Sequence, residues 1–117
     1  MPISNYPKLA SAAEDMLAEL QIDGSVLGHA GDGNLHVIGF YAAEDTATRD
    51  KAFLLNKKLV ELALSLDGTS TGEHGVGIGK RKYMVKEHGK SAIAVMRQLK
   101  NLLDPNGILN PGKVFDD

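Results

Sequence analysis

Two periods of apolar residues alternate along the chain. From about Pro7 to Gln21, Leu9, Ala12, Ala13, Met16, Leu17 and Leu20 recur at helical spacing, and Asp23-Gly24 stops the run. Residues Ser25 to Ala30 and Asn34 to Tyr41 then read as two short strands around Gly31-Asp32-Gly33. Asp-Gly between strand-like runs is a strong hairpin signal, because both positions tolerate positive φ. The helical period returns from about Thr46 to Leu66, with Leu55, Leu59, Leu62, Ala63 and Leu66 as its stripe. Asp45 or Thr46 is placed to cap that helix, and Gly68 to end it. Residues Gly68 to Gly79 are rich in Gly, Ser and Thr, with one short strand expected near Thr69 to Thr71. A short basic helix is predicted from Lys80 to Glu87. A last helix is predicted from Ser91 to Leu103, with Ile93, Met96, Leu99 and Leu103 on one face. Asp104-Pro105-Asn106-Gly107 breaks it, and the tail from Ile108 to Phe115 reads as extended and partly apolar.

The order helix, strand, strand, helix predicts an α+β fold. Its form would be a partial ferredoxin-like split unit: a small antiparallel sheet packed by helices, plus C-terminal helices. A complete unit of that kind has a strand before the first helix, and none is visible. At 117 residues the chain is expected to form a single domain, residues 1–117. An apolar fraction of 43% and a charged fraction of 24% are ordinary for a globular protein. A net charge of -2 gives no polyanion-binding signature, which argues against nucleic acid as a partner. Without cysteine, any zinc must sit on His and carboxylate. No apolar run approaches the roughly 20 residues that span a bilayer, and the N-terminus carries no signal-peptide pattern. The expected setting is cytoplasmic, or peripheral at a membrane.

Three of the four histidines and one carboxylate change this ordinary picture. With Asp32-Gly33 as a two-residue turn, Gly31 pairs with Asn34, Ala30 with Leu35, and His29 with His36. Directly opposed side chains share a face with Cβ atoms about 4.5–5.5 Å apart. Two imidazoles so placed can converge on one ion, whereas a one-residue register change would send them to opposite faces. The plain alternative is a pair of polar residues on an exposed hairpin. A catalytic zinc takes three protein ligands, and Glu73 can be the third. It lies among Gly72, Gly75, Gly77 and Gly79, where backbone can approach another element closely. In an extended stretch His74 would point away from Glu73, free to act as a general base. The alternative here is a glycine loop with two solvated polar residues.

Other readings of these segments fail on spacing. A Walker loop ending at Gly79-Lys80 needs Gly where His74 stands, and Ser or Thr where Arg81 stands. Gly75-Val76-Gly77-Ile78-Gly79 misses the dinucleotide fingerprint, and there is no His-Glu-x-x-His helix. Lys80, Arg81, Lys82 and Lys86 form a basic run, either a solvated helix face or a surface that attracts carboxylates. His88 reads as a helix-end residue.

Three ordered motifs carry a resemblance. They are Gly28-His29-Ala30-Gly31-Asp32-Gly33-Asn34-Leu35-His36, then Gly72-Glu73-His74-Gly75-Val76-Gly77, then the stretch from Leu103 to Lys113 that contains Asp104-Pro105-Asn106-Gly107 and Asn110-Pro111-Gly112-Lys113. From about Gly24 to Phe115 the chain resembles the C-terminal domain of FAD-linked oxidases, a family that includes D-lactate dehydrogenases, the flavin subunit of glycolate oxidase and D-2-hydroxyglutarate dehydrogenase. The resemblance implies a partner FAD-binding domain or subunit, absent from this chain, and a small 2-hydroxy acid as substrate. It implies a divalent metal, zinc as a rule, on His29, His36 and Glu73, His74 as the base, and Asn110 near the cofactor. It also implies that the chain corresponds to the second half of the cap domain, without the first half and its carboxylate-binding Arg. Where some metal-dependent members have Asn two residues after the second His, this chain has Ile38.

The expectation is therefore a fragment of an FAD-dependent 2-hydroxy-acid dehydrogenase or oxidase, of glycolate or D-lactate type. It would supply the metal and substrate side of the active site, bind no FAD alone, be inactive alone, and self-associate as a homodimer. The alternative is a stand-alone, self-associating interaction module without catalysis. A small zinc hydrolase using Glu73 and both histidines is a third class.

Overall fold

The computed structural model describes residues 1–115. The chain divides into two compact units, Met1–Thr69 and a second that begins at Ser70.

The first unit opens with helix α1, Tyr6–Leu20. Pro7 lies in its first turn, where a missing N–H costs nothing. Leu9, Ala13 and Leu17 recur every four residues and are buried. Gln21 ends the helix in the left-handed conformation (φ 54°), its N–H bonded back to Ala18. The chain then turns into β1, Asp23–His29, which pairs antiparallel with β2, Asn34–Phe40. Both strands lie within a residue or two of the expected spans.

Helix α2, Thr46–Ser65, is capped as expected: Asp45 Oδ1 accepts the Thr48 N–H at 2.9 Å. Its far end differs from expectation. Asp67 takes the left-handed conformation (φ 58°), while the Gly68 N–H bonds to the Ala63 carbonyl at 2.8 Å. Gly68 is needed for close approach instead, since a Cβ there would lie 2.7 Å from that carbonyl oxygen. Asn5 Nδ2 donates to the Leu66 carbonyl, one of the groups the helix end leaves open.

Two apolar clusters hold this unit. Leu9, Ala63 and Leu66 gather Met1, Leu35 and Leu62; Leu17, Ile22 and Leu55 gather Val26, Val37 and Ala52. Leu59 packs against both. One face of the hairpin thus lies on the core, and the arrangement is α+β.

The second unit is a 3-10 turn, Arg81–Tyr83, followed by α3, Met84–Leu103, with irregular backbone on both sides. The two expected helices are present as one element broken at Gly89, whose φ 80° and ψ 159° only glycine adopts readily. The strand expected near Thr69 to Thr71 does not form; among the described residues the sheet has two strands. The Ser70 N–H bonds instead to the Glu87 carboxylate, and the Thr71 hydroxyl to the Gly75 carbonyl. The tail is not extended either. It is a succession of bends with positive φ at Gly107, Asn110, Gly112 and Val114. On α3, Ile93 and Met96 are half-buried, while Leu99 and Leu103 stand exposed.

Leu55 is 5% exposed in the second cluster, and Phe53, two residues away, is 64% exposed. Leu55→Ala is expected to lower the stability of the first unit by about 2–5 kcal/mol. Phe53→Ala is expected to change it by no more than about 0.5 kcal/mol. Urea unfolding of both variants measures the difference.

Candidate metal and proton-transfer site

The hairpin positions two of the four residues singled out for chemistry, in a register other than the one expected. His29 pairs with Asn34, Gly28 with Leu35, and Leu27 with His36. The loop holds four residues, not two. Ala30–Asp32 form a 3-10 turn that Gly33 closes at φ 68°, its N–H bonded to Ala30. Such loops are commonly built on a type I turn. Gly33 is buried beneath Met1, and a Cβ there would meet the Met1 carbonyl oxygen at 2.0 Å.

Two residues added to the loop leave the parity of the pairing unchanged. His29 and His36 are therefore diagonal neighbours on one face, with ring centroids 5.6 Å apart and planes at 85°. Two imidazoles sharing one tetrahedral zinc, each nitrogen about 2.0–2.1 Å away, place their centroids about 5 Å apart. The pair fits such an ion with a small adjustment. His29 is exposed and His36 half-buried, so an ion could reach them. Gly28 lets the strands come this close: a Cβ on it would lie 2.2 Å from the Asn34 carbonyl oxygen and 2.9 Å from the Tyr6 hydroxyl.

Glu73 and His74 lie in the glycine loop of the second unit. The expectation that they point apart is not met. His74 Nε2 lies 3.6 Å from Glu73 Oε1, with the side chains 81% and 46% exposed. The loop bends here instead of extending: Gly75 (φ 76°) and Gly77 (φ 52°) are left-handed. A Cβ at Gly75, Gly77 or Gly79 would meet nothing within 4 Å. At Gly75 and Gly77 glycine therefore serves backbone conformation, not the close approach expected. The Thr71 hydroxyl spans the Glu73-His74 step by donating to the Gly75 carbonyl at 3.0 Å. At the loop entry, the Ser70 N–H donates to Glu87 Oε2 at 3.0 Å. Glu87 is a residue that sequence reasoning missed, and as the last residue of a basic run it gave no signal. Its Oε1 lies 3.6 Å from His88 Nε2, so His88 does more than end a helix.

The tail carries Asn110, exposed and left-handed at φ 48°. Asp104 organises the approach to it. Its carboxylate accepts the N–H groups of Ile108 and Leu109, each at 3.0 Å, and pairs with Lys100 Nζ. Lys100 also donates to the Leu109 carbonyl at 2.7 Å. The basic run is only partly a solvated face. Lys80 and Lys82 lie 5.9 and 5.1 Å from the centre of the buried Tyr83 ring, and Arg81 Nη1 donates to the Gly112 carbonyl at 2.9 Å. Burial, with Lys82 nearby, lowers the pKa of Lys80.

Over residues 1–114 the chain matches the model of a family described as FAD linked oxidases, C-terminal domain. It is similar to a mitochondrial D-lactate dehydrogenase (cytochrome) of Kluyveromyces lactis, 44% identical over 98% of this chain and 19% of the relative. It is similar to glycolate oxidase subunit GlcD of Bacillus subtilis, 38% identical over 98% of this chain and 24% of the relative. A D-2-hydroxyglutarate dehydrogenase of Xanthomonas citri is 34% identical over 97% of this chain and 25% of the relative. The chain thus spans about a fifth to a quarter of the length of these relatives. Among the described residues no helix is long and apolar enough to cross a membrane.

The Lys100 ammonium and the two backbone N–H groups hold the Asp104 carboxyl below its ordinary pKa. A carboxylate so depressed stabilises the fold above its unfolded pKa, about 3.9 for Asp. That contribution is lost as pH falls through the folded value. The tail is expected to loosen in acid below about pH 4. In Asp104→Asn this acid dependence should be absent, with the tail already loosened at neutral pH. The amide spectra of Ile108 and Leu109, followed against pH, check both statements.

Proposed function

Since the chain belongs to the FAD-linked oxidase C-terminal domain family, we propose that it supplies the metal and substrate side of an FAD-dependent 2-hydroxy-acid dehydrogenase of D-lactate or glycolate type. The same proposal has an FAD-binding domain or subunit as the partner of this chain, and a cytoplasmic or peripheral membrane setting. The observation that carries the reading is the His29–His36 pair, with rings 5.6 Å apart on one face of the hairpin.

In this reading His29 and His36 hold a divalent ion, with Glu73 as third donor. Two imidazoles and a carboxylate, without thiolate, form a donor set of the catalytic zinc type, with room for a substrate oxygen. When bound, such an ion would lower the pKa of a substrate hydroxyl, and the flavin of the partner domain would supply the redox chemistry. His74 would take the hydroxyl proton on an imidazole nitrogen, imidazole being the side chain most often used as a general base. Glu73, 3.6 Å from that ring, helps to orient it. Asn110 would face the flavin.

The purified chain is expected to bind zinc one to one, and His29→Ala or His36→Ala to abolish the binding while α1 and α2 stay folded. His74→Ala is expected to keep the metal. Zinc measured by mass spectrometry after desalting decides this, and a wild-type chain that retains none at micromolar concentrations overturns the metal assignment. On its own, without that partner domain, the chain is expected to form a homodimer through the same outer face of the hairpin, where Leu27, Ile38 and Phe40 are exposed. Sedimentation velocity showing a monomer at every concentration would remove it.

A further inference from the structure

We propose that Arg81 is a positioning residue for Glu73 and His74: by pinning the C-terminal tail it clamps the exit of the glycine loop that carries them. The catalytic meaning of the clamp rests on the function proposed above. The clamp itself rests on bonds within the second unit.

The segment from Ser70 to Gly79 contains four glycines and forms no helix or strand. Glycine loses more freedom on ordering than other residues, so such a loop stays fixed only where bonds tie it down. The entry is tied by Glu87 to the Ser70 N–H, and the middle by Thr71 to the Gly75 carbonyl. At the exit, the Lys80 N–H bonds locally to the Val76 carbonyl, and the Val114 N–H donates to the Gly77 carbonyl at 2.8 Å. This last bond is non-local, and its donor is the unusual part. Val114 has φ 67°, an outlier for a β-branched residue. Strained backbone of this kind persists only when its surroundings over-determine it.

Two arginines supply that. Arg81 Nη1 donates to the carbonyl of Gly112, two residues before Val114. The Arg97 guanidinium lies 5.3 Å from the centre of the Phe115 ring, one residue after it. Val114 is thus bracketed, and its N–H is presented to the glycine loop. Of the two, Arg81 is the more consequential, because it follows the loop directly in sequence. One side chain therefore joins the exit of the loop to the segment that carries Asn110.

Hydrogen exchange on the full chain, read residue by residue, tests the clamp. In Arg81→Ala the bonded amides of the loop exit and of the tail, Lys80 in the first and Val114 in the second, should exchange faster together, by about tenfold or more, while those of α3 keep their protection. Arg81→Lys, which can still donate to one carbonyl, should restore most of the protection. Lys82→Ala, which removes a neighbouring charge of the same run, should leave both segments as in wild type. Tail amides that speed up while the loop does not, or an Arg81→Lys variant no better than Arg81→Ala, would overturn the proposal. If Arg81→Ala also strips protection from α3, the judgement passes to Arg81→Lys. There, joint loosening of both segments with α3 intact supports the clamp, and loosening of one segment alone, or of neither, overturns it. Zinc titration supplies the catalytic arm. Affinity should fall about tenfold in Arg81→Ala at unchanged α3 protection. A wild-type chain that binds no zinc counts against the proposed function and leaves the clamp to be judged by exchange.

Discussion

Everything in the first unit follows from which face of the hairpin is buried. Val26 and Val37 face each other across the strands and pack with Leu17, Ile22 and Leu55. Leu35, opposite Gly28, packs with Leu9, Ala63 and Leu66. Side chains along a strand alternate with a period of two. Once Val26, Leu35 and Val37 are committed to the core, Leu27, His29, His36 and Ile38 have only the other face. Turning that face inward would put His29, His36 and Asn34 into the core in place of Val26, Leu35 and Val37, at the desolvation cost of burying polar groups. The apolar packing beneath the sheet is thus what holds the two imidazoles together above it, and no direct bond between them is required.

The second unit solves its problem by other means. With a single long helix and much irregular backbone, it cannot rely on ladder hydrogen bonds to satisfy its peptide groups. Side chains do so instead. Glu87 accepts from Ser70, Thr71 donates to Gly75, Arg81 donates to Gly112, and Asp104 accepts from two successive amides of the tail. One group shows the limit of this strategy. The Ser70 hydroxyl is buried with no partner among the described residues, a cost that its own backbone N–H does not share. Charged residues here act largely on backbone, which is why a basic run that reads as a solvated surface turns out to be half engaged.

The sequence disclosed these two units unequally. Helices α1 and α2 and both strands were legible because they bury one face, and burial imposes a period. The shared face of His29 and His36 was legible for the same reason. Their diagonal placement, in place of the direct pairing expected, was not, since a two-residue and a four-residue loop give the same parity, and only the backbone of Ala30–Gly33 chooses between them. The break at Gly89 was legible as a gap between two helical runs. The second unit otherwise resisted reading. Glu87, Arg81 and Asp104 meet partners at sequence separations of 17, 31 and as few as 4 residues, and no period marks any of them. The left-handed Val114 goes against its own propensity, so nothing local announces it.

Exposure bears on how much of a catalytic site these residues can form unaided. His29 is exposed, and the His74 side chain is 81% exposed. An imidazole in that setting can bind a metal or accept a proton. Hydride transfer asks for more, because electrostatic effects at a reacting centre grow strong only when water is excluded. The outer face of the hairpin carries Leu27 and Ile38 next to His36 and Phe40 further along, all more than a third exposed. Apolar side chains around ionisable groups are what a covered site needs, and they give little advantage in open water. In the proposed reading, the domain that brings the flavin also supplies the cover. The same surface then contributes twice, as a docking face and as the dry wall of the reaction chamber.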